Sequence, residues 1–157
     1  MSYHRQAAPL RFRSELTTAH APTEVWRCFE DLTRWSAWSP ICRDCRTTEG
    51  ESLELGRVLI MRLSILGVTV TIRARVARVD PPEAVTWEFR RFGVMASHTY
   101  RLCAQGSGTR IVNEELVFGL PRPLRALVSA WFAATELSRR SLLGIRAWLD
   151  RNGAPGP

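Results

Sequence analysis

The chain has 157 residues, 45% of them hydrophobic, which is enough for one domain with a substantial core. Its net charge of +7 rests on 22 basic residues, every one an arginine. The absence of lysine excludes side-chain Schiff-base chemistry, and no apolar run approaches the roughly 18 residues of a membrane span.

Residues 1–9 are polar, lack the apolar h-region of a secretory signal and read as a flexible tail. The expectation is a bacterial, cytoplasmic protein. The arginines are scattered and lack the aromatic interleaving of a nucleic-acid surface, so no nucleic-acid contact is expected. Arg122, Arg125, Arg139, Arg140, Arg146 and Arg151 on the last helix could meet anionic lipid or an acidic protein, but they read first as a solvated helix face, and peripheral membrane contact is not expected. A monomer or a homodimer fits equally.

Leu10, Phe12, Ser14 and Leu16 alternate with Arg11, Arg13, Glu15 and Thr17, a strand with one wet face. Pro22, Thr23 and Glu24 suit a helix start, and Val25, Phe29 and Leu32 then share one helical face. Trp35 and Trp38 close this segment, and Pro40 ends it. A weaker strand follows over 41–48. Strand 58–65 points Leu59, Met61, Leu63 and Ile65 to one side. Gly67 turns the chain into a long strand with Val68, Val70, Ile72, Ala74 and Val76 together on one side and Thr69, Thr71, Arg73 and Arg75 on the other. Arg78 continues the parity of Ile72, Ala74 and Val76 and is expected to point inward.

Asp80-Pro81-Pro82 breaks the chain. Val85, Trp87 and Phe89 mark the next inward face, and Ala96, His98, Tyr100 and Leu102 the one after. Gln105-Gly106-Ser107-Gly108 is a hairpin turn before the last strand. From Leu124 the apolar spacing changes to threes and fours, predicting one long amphipathic helix to about Asn152, with Gly153 as its stop. Residues 153–157 read as a second flexible tail, leaving one domain over 10–152.

The segment from Ala21 to Pro40, the Gly108-Thr109-Arg110 hairpin and the terminal helix resemble, in this order, the START/Bet v 1-like (SRPBCC) superfamily, which includes polyketide cyclase/dehydrase-like proteins. The resemblance implies an α+β helix-grip fold. A curved seven-stranded antiparallel β-sheet wraps around a long C-terminal α-helix, with two short helices after the first strand. It also implies an internal cavity for a small hydrophobic molecule that is polyketide-, lipid- or aromatic-like. The alternative is an aromatase/cyclase-type enzyme acting on a polyketide intermediate.

Parity places Trp35, Trp38, Met61, Ile72, Trp87, Phe89, Tyr100, Asn113, Val117 and Trp131 around such a cavity, with Thr135 and Ser138 offering hydroxyls from the helix. For the last strand, Arg110 in water sends Asn113, Glu115 and Val117 inward and leaves Glu114 outside. One residue of slip would bury Val112, Glu114, Leu116 and Phe118 instead, and both registers stay open. His98, Glu115 and Arg78 are the candidate catalytic groups: His98 or Glu115 as base, Arg78 as the cation for a developing enolate. Plainer readings stand beside these. His98 also reads as a hydrogen-bonded core histidine, Glu115 as an ion pair with Arg78, and the aromatics as packing.

Cys42 and Cys45 form a C-x-x-C with no second pair, on a strand where positions three apart face opposite sides, so they read as reduced, buried thiols. His4 and His20 have no metal-spaced partners. No metal or cofactor is expected.

Overall fold

The structure, a computed structural model, describes residues 8–153. The two tails predicted over 1–9 and 153–157 therefore lie almost wholly outside the described residues. Strand β1 (Leu10–Thr18) leads into helix α1 (Pro22–Glu30), a 3-10 turn (Leu32–Arg34) and the single-turn helix α2 (Trp35–Trp38). Six strands follow: β2 (Cys42–Thr47), β3 (Val58–Ile65), β4 (Val68–Asp80), β5 (Ala84–Arg91), β6 (Val94–Gln105) and β7 (Gly108–Phe118). Helices α3 (Arg122–Thr135) and α4 (Leu137–Asn152) complete the chain.

All strands pair antiparallel in one seven-stranded sheet of order β1-β7-β6-β5-β4-β3-β2. The sequence neighbours pair because their connections are short, while β7 returns to β1 and brings the chain's first and last strands together. Helix α4 packs against β1 and β7 at one side of the sheet, and α2 packs on β2 at the other. The expected helix-grip architecture is therefore present.

Leu142, Ile145 and Leu149 of α4 are almost fully buried against Val25 and Phe29 of α1 and the inner faces of the strands. Their spacing of three and four residues gives α4 a single apolar stripe. At the start of α1, the Glu24 side chain accepts a hydrogen bond from the Ala21 backbone N–H at 2.8 Å. At its end, the indole N–H groups of Trp38 and Trp35 donate to the carbonyls of Cys28 (2.9 Å) and Phe29 (3.1 Å). These are carbonyls with no helical partner beyond the helix end.

Three features depart from the sequence expectations. The long terminal helix is two helices, divided at Glu136, which adopts a left-handed conformation (φ 47°, ψ 35°). A residue in that region cannot continue an α-helical ladder, so α3 and α4 run as separate rods. Nothing in the local sequence announces the break, because neither glycine nor proline stands there. Second, β4 carries a bulge between Val76 and Arg78. The extra residue reverses the parity beyond it: Val79 faces inward opposite Val85, and Arg78 lies exposed outside. Third, a register shift between Cys42 and Asp44 turns both Cys42 and Cys45 to the buried side, where simple alternation would have separated them. All four cysteines are free thiols. Burial pushes Cys42 up to about 11 and Cys45 higher still, so both are protonated.

Gly144 marks the closest approach of α4 to α2. A Cβ built there collides with the Trp38 carbonyl oxygen. At an unconstrained helical site, alanine in place of glycine is worth about 1 kcal/mol of added stability. Here the sign reverses: Gly144→Ala should cost about 1–3 kcal/mol through overpacking. Urea denaturation of the two proteins measures it, and a stabilised variant would contradict the packing described.

Candidate functional site

Beyond Leu137 the helical layer no longer fills the space under the sheet. A chamber of about 260 Å³ remains, enclosed by α2, the inner faces of β3 to β6, Glu115 of β7, and the junction of α3 and α4. Its wall is mainly apolar and aromatic. Of the residues named from the sequence, Trp35, Trp38, Met61, Ile72, Trp87, Phe89, His98, Tyr100, Glu115 and Trp131 line it. The inward alternation on β3, β5 and β6 accounts for most of these.

Five named residues stand elsewhere. Arg78, turned out by the bulge, pairs with Asp80 at 2.7 Å on the exterior. Asn113 and Val117 project from the inner face of β7 but are buried behind the wall. Thr135 donates its hydroxyl back to the Trp131 carbonyl at 2.8 Å, and Ser138 contributes only its backbone carbonyl, to Asn113. Both serve the helix break, not the chamber. The break instead brings in Phe132, Leu137 and Ser141, which an unbroken helix would not have singled out. Leu63, Ile65 and Ala96 also line the chamber, and they sit on strand faces already read as inward. Ile41, Cys42 and Ser39 come from the irregular α2–β2 link, where periodicity carries no signal.

The register of β7 places Glu115 inward, opposite His98 of β6, and Glu114 outward. Outside, Glu114 is held by Arg11 of β1, with Arg101 of β6 at 3.4 Å. That outer-face carboxylate is itself buried and is paired with two guanidinium groups. Among the described residues no arginine lines the chamber beside Glu115.

His98 and Glu115 are the chamber's titratable pair, with Nδ1 3.5 Å from Oε2. The imidazole ring stacks on Trp87 (centroids 4.8 Å apart) and on Tyr100 (5.1 Å), which also touch each other at 5.8 Å. His98 keeps 24% and Glu115 18% of its side-chain surface accessible, and both line the chamber. Burial drives both toward their neutral forms: the Glu115 carboxyl rises to about 7. The His98 imidazolium falls to about 4, opposed in part by the Asn113 side chain. Two buried polar side-chain atoms have no hydrogen-bond partner among the described residues, His98 Nε2 and Asn113 Oδ1. Asn113 Nδ2 meanwhile donates to the Tyr100 hydroxyl at 3.2 Å and to the Ser138 carbonyl at 3.4 Å.

A chamber of this composition, gripped between a seven-stranded sheet and a C-terminal helix, defines a START/Bet v 1-like protein. Residues 9–148 match the family model described as polyketide cyclase/dehydrase and lipid transport, and the chain belongs to that family. It is similar in fold to a START superfamily protein from Mycobacterium smegmatis (TM-score 0.68, 12% identity, 90% of this chain and 97% of that one). It is also similar in fold to a hypothetical protein from Helicobacter pylori (TM-score 0.74, 14% identity, 93% of this chain and 91% of that one). A curated Mycobacterium tuberculosis protein named Toxin Rv0910 is 34% identical over 65 residues, 41% of this chain. The matched stretch spans 45% of that protein.

The opposed shifts of the pair give a signed pH dependence. Between 4.5 and about 7 the folded chain holds the Glu115 proton and the unfolded chain has lost it, so this group lowers stability as pH rises. Between about 4 and 6.5 the unfolded chain binds a proton at His98 that the folded chain does not, so this group raises stability with pH. The two slopes offset over most of that range. Glu115→Gln removes one of them, so its stability should gain on the native chain by on the order of 1–3 kcal/mol between acid and mildly alkaline pH. Denaturation across the pH range reads this directly, and a pH-independent difference would show that Glu115 is not held neutral.

Proposed function

We propose that the chain binds one small, uncharged, largely apolar molecule in the chamber, with a single hydroxyl or carbonyl group turned to Glu115. The observation that supports this most is the chamber itself: apolar walls, one neutral polar pair, and no cation. An anionic guest would meet Glu115 without a counter-charge, and its burial would be costly. A cavity of about 150 Å³ accepts benzene. At about 260 Å³ the chamber suits a one- or two-ring molecule or a short acyl chain.

His98 Nε2–H, turned slightly, donates to Asn113 Oδ1 and satisfies both unpartnered atoms. The Nδ1 lone pair then faces Glu115, whose carboxylic proton is available to Nδ1 or to a guest oxygen. Asn113, fixed by Tyr100, orients the imidazole, and the faces of Trp87 and Tyr100 hold it flat.

Trp35, Trp38, Trp87 and Trp131 in the wall make intrinsic fluorescence the readout. 2-Naphthol should change it saturably, and naphthalene should bind roughly tenfold more weakly, a difference that Glu115→Leu removes. No saturable response to either probe would overturn the proposal.

One observation favours a catalytic extension. A carboxyl held near neutrality beside an imidazole is suited to moving protons during cyclisation or dehydration of a short polyketide. Arg78 has no part in it, since it lies outside; an enolate would rely on the Glu115 proton. With a short poly-β-keto thioester, Glu115→Gln should lower kcat by roughly 100-fold or more while leaving binding within a few-fold. Equal turnover by both proteins would remove the catalytic reading and leave the binding one intact.

A further inference from the structure

Two hairpins turn in a way their sequences should resist. In the β3–β4 turn, Leu66 (φ 51°) precedes Gly67 (φ 78°). In the β5–β6 turn, Phe92 (φ 50°) precedes Gly93 (φ 77°). Both are two-residue turns with positive φ at both positions, where asparagine, aspartate or glycine is the favoured first residue. A bulky apolar residue there is conformationally unfavourable. It is also unfavourably solvated: Leu66 is 80% exposed and Phe92 90%. At the opposite end the tight turns are Pro81-Pro82-Glu83 and Gly106-Ser107, and one exposed apolar side chain, Leu55, sits in the longer β2–β3 connection.

Strand directions place both apolar turns at one end of the sheet, together with the end of β7 and the start of α3. A Cβ at Gly119 would collide with the Gly93 carbonyl, so the β5–β6 turn touches the link into α3. Leu124 and Leu127 of α3 are also exposed. This end is basic as well as apolar. Residues 64–73, 89–97 and 116–135 contain Arg73, Arg90, Arg91, Arg122 and Arg125 and no aspartate or glutamate; the neighbouring Glu88 pairs with Arg90 at 3.3 Å, and Arg125 donates to the Ala8 carbonyl at 2.9 Å. The Arg91 guanidinium lies 4.8 Å from the Phe92 ring.

The chamber reaches the same end. The β4–β5 ladder stops at Ala74–Phe89, and beyond it Val68–Arg73 pair only with β3 while Arg90 and Arg91 pair only with β6. The two hairpins part there. Ile65, Phe89 and Trp131 of the chamber wall stand within one to four residues of the exposed Leu66, Phe92 and Leu127.

We propose that this end seats on an anionic lipid bilayer. Leu66 and Phe92 enter the acyl region, Leu124 and Leu127 lie in the interface, and the arginines meet the headgroup charge, so that the parted hairpins open toward lipid. The sequence offered only arginines of the last helix for such a contact, with a solvated face as the plainer reading; the fold gathers Arg122 and Arg125 with Arg73, Arg90 and Arg91 around two apolar tips. Docking stands independently of the chamber reading, and only the exchange of a guest with the bilayer rests on it.

The test is co-sedimentation of the full chain with vesicles of phosphatidylcholine and phosphatidylglycerol, against phosphatidylcholine alone. Binding should require the anionic lipid and weaken as salt is raised. The variant Leu66→Asn/Phe92→Asn installs the favoured Asn-Gly turns, so it should fold at least as well. It should lose roughly tenfold or more of the vesicle affinity, as two large side chains no longer leave water. Its fluorescence response to 2-naphthol should be unchanged, which separates failure of docking from failure of the chamber. Absence of binding to anionic vesicles at low salt, or full binding by the variant, would overturn the proposal. So would dimerisation of the native chain that the variant abolishes without any vesicle binding.

Discussion

The left-handed residue at Glu136 decides where the helical cover over the sheet begins and ends. With α-helical geometry maintained, α3 and α4 would form one rod, and its apolar stripe would follow the sheet along its whole length. The interruption instead frees α3 to lie against β1, where Phe132 stacks on Phe12 with centroids 3.9 Å apart. Leu142, Ile145 and Leu149 pack one half of the sheet solidly, and the other half is left with the chamber. Close packing is the rule in protein interiors. An unfilled volume of this size therefore needs rigid walls, and the aromatic residues supply them.

Those walls are fixed from several directions. Trp35 and Trp38 are tied by their indole N–H groups to the end of α1, and Trp38 is backed by α4 at Gly144. Trp87, His98 and Tyr100 form a three-ring cluster on β5 and β6, and Trp35 meets Trp87 with centroids 4.7 Å apart. The cluster is held in place by its own contacts. The contrast between Glu114 and Glu115 shows the same economy in charge. Adjacent residues on one strand face opposite sides, one set among arginines and one set in an apolar chamber. The strand's two-residue period separates a carboxylate paired with arginines from one facing the chamber.

Much of the fold was legible in the sequence because the strands alternate cleanly. Leu59, Met61 and Leu63, then Val85, Trp87 and Phe89, marked their inward faces by period alone. The resemblance of the Ala21–Pro40 segment to the START/Bet v 1-like superfamily supplied the architecture that arranges these faces. What alternation could not reveal was every place where the period breaks. Arg78 follows a bulge, Cys42 precedes one, and Thr135 and Ser138 flank a helix break that no glycine or proline marks. The apolar hairpin tips were equally silent. Leu66-Gly67 and Phe92-Gly93 read as turns from their glycines, but their exposure depends on which strands pair and where the ladder stops.

The central claim is that sheet and helices enclose a dry, persistent space. Diffraction from crystals of the chain under xenon pressure tests it most directly, because xenon occupies empty apolar cavities and leaves filled ones alone. The account predicts xenon between Met61, Trp87 and Leu137, with the surrounding side chains unmoved. Side chains collapsed into that space, with no xenon bound among them, would contradict it.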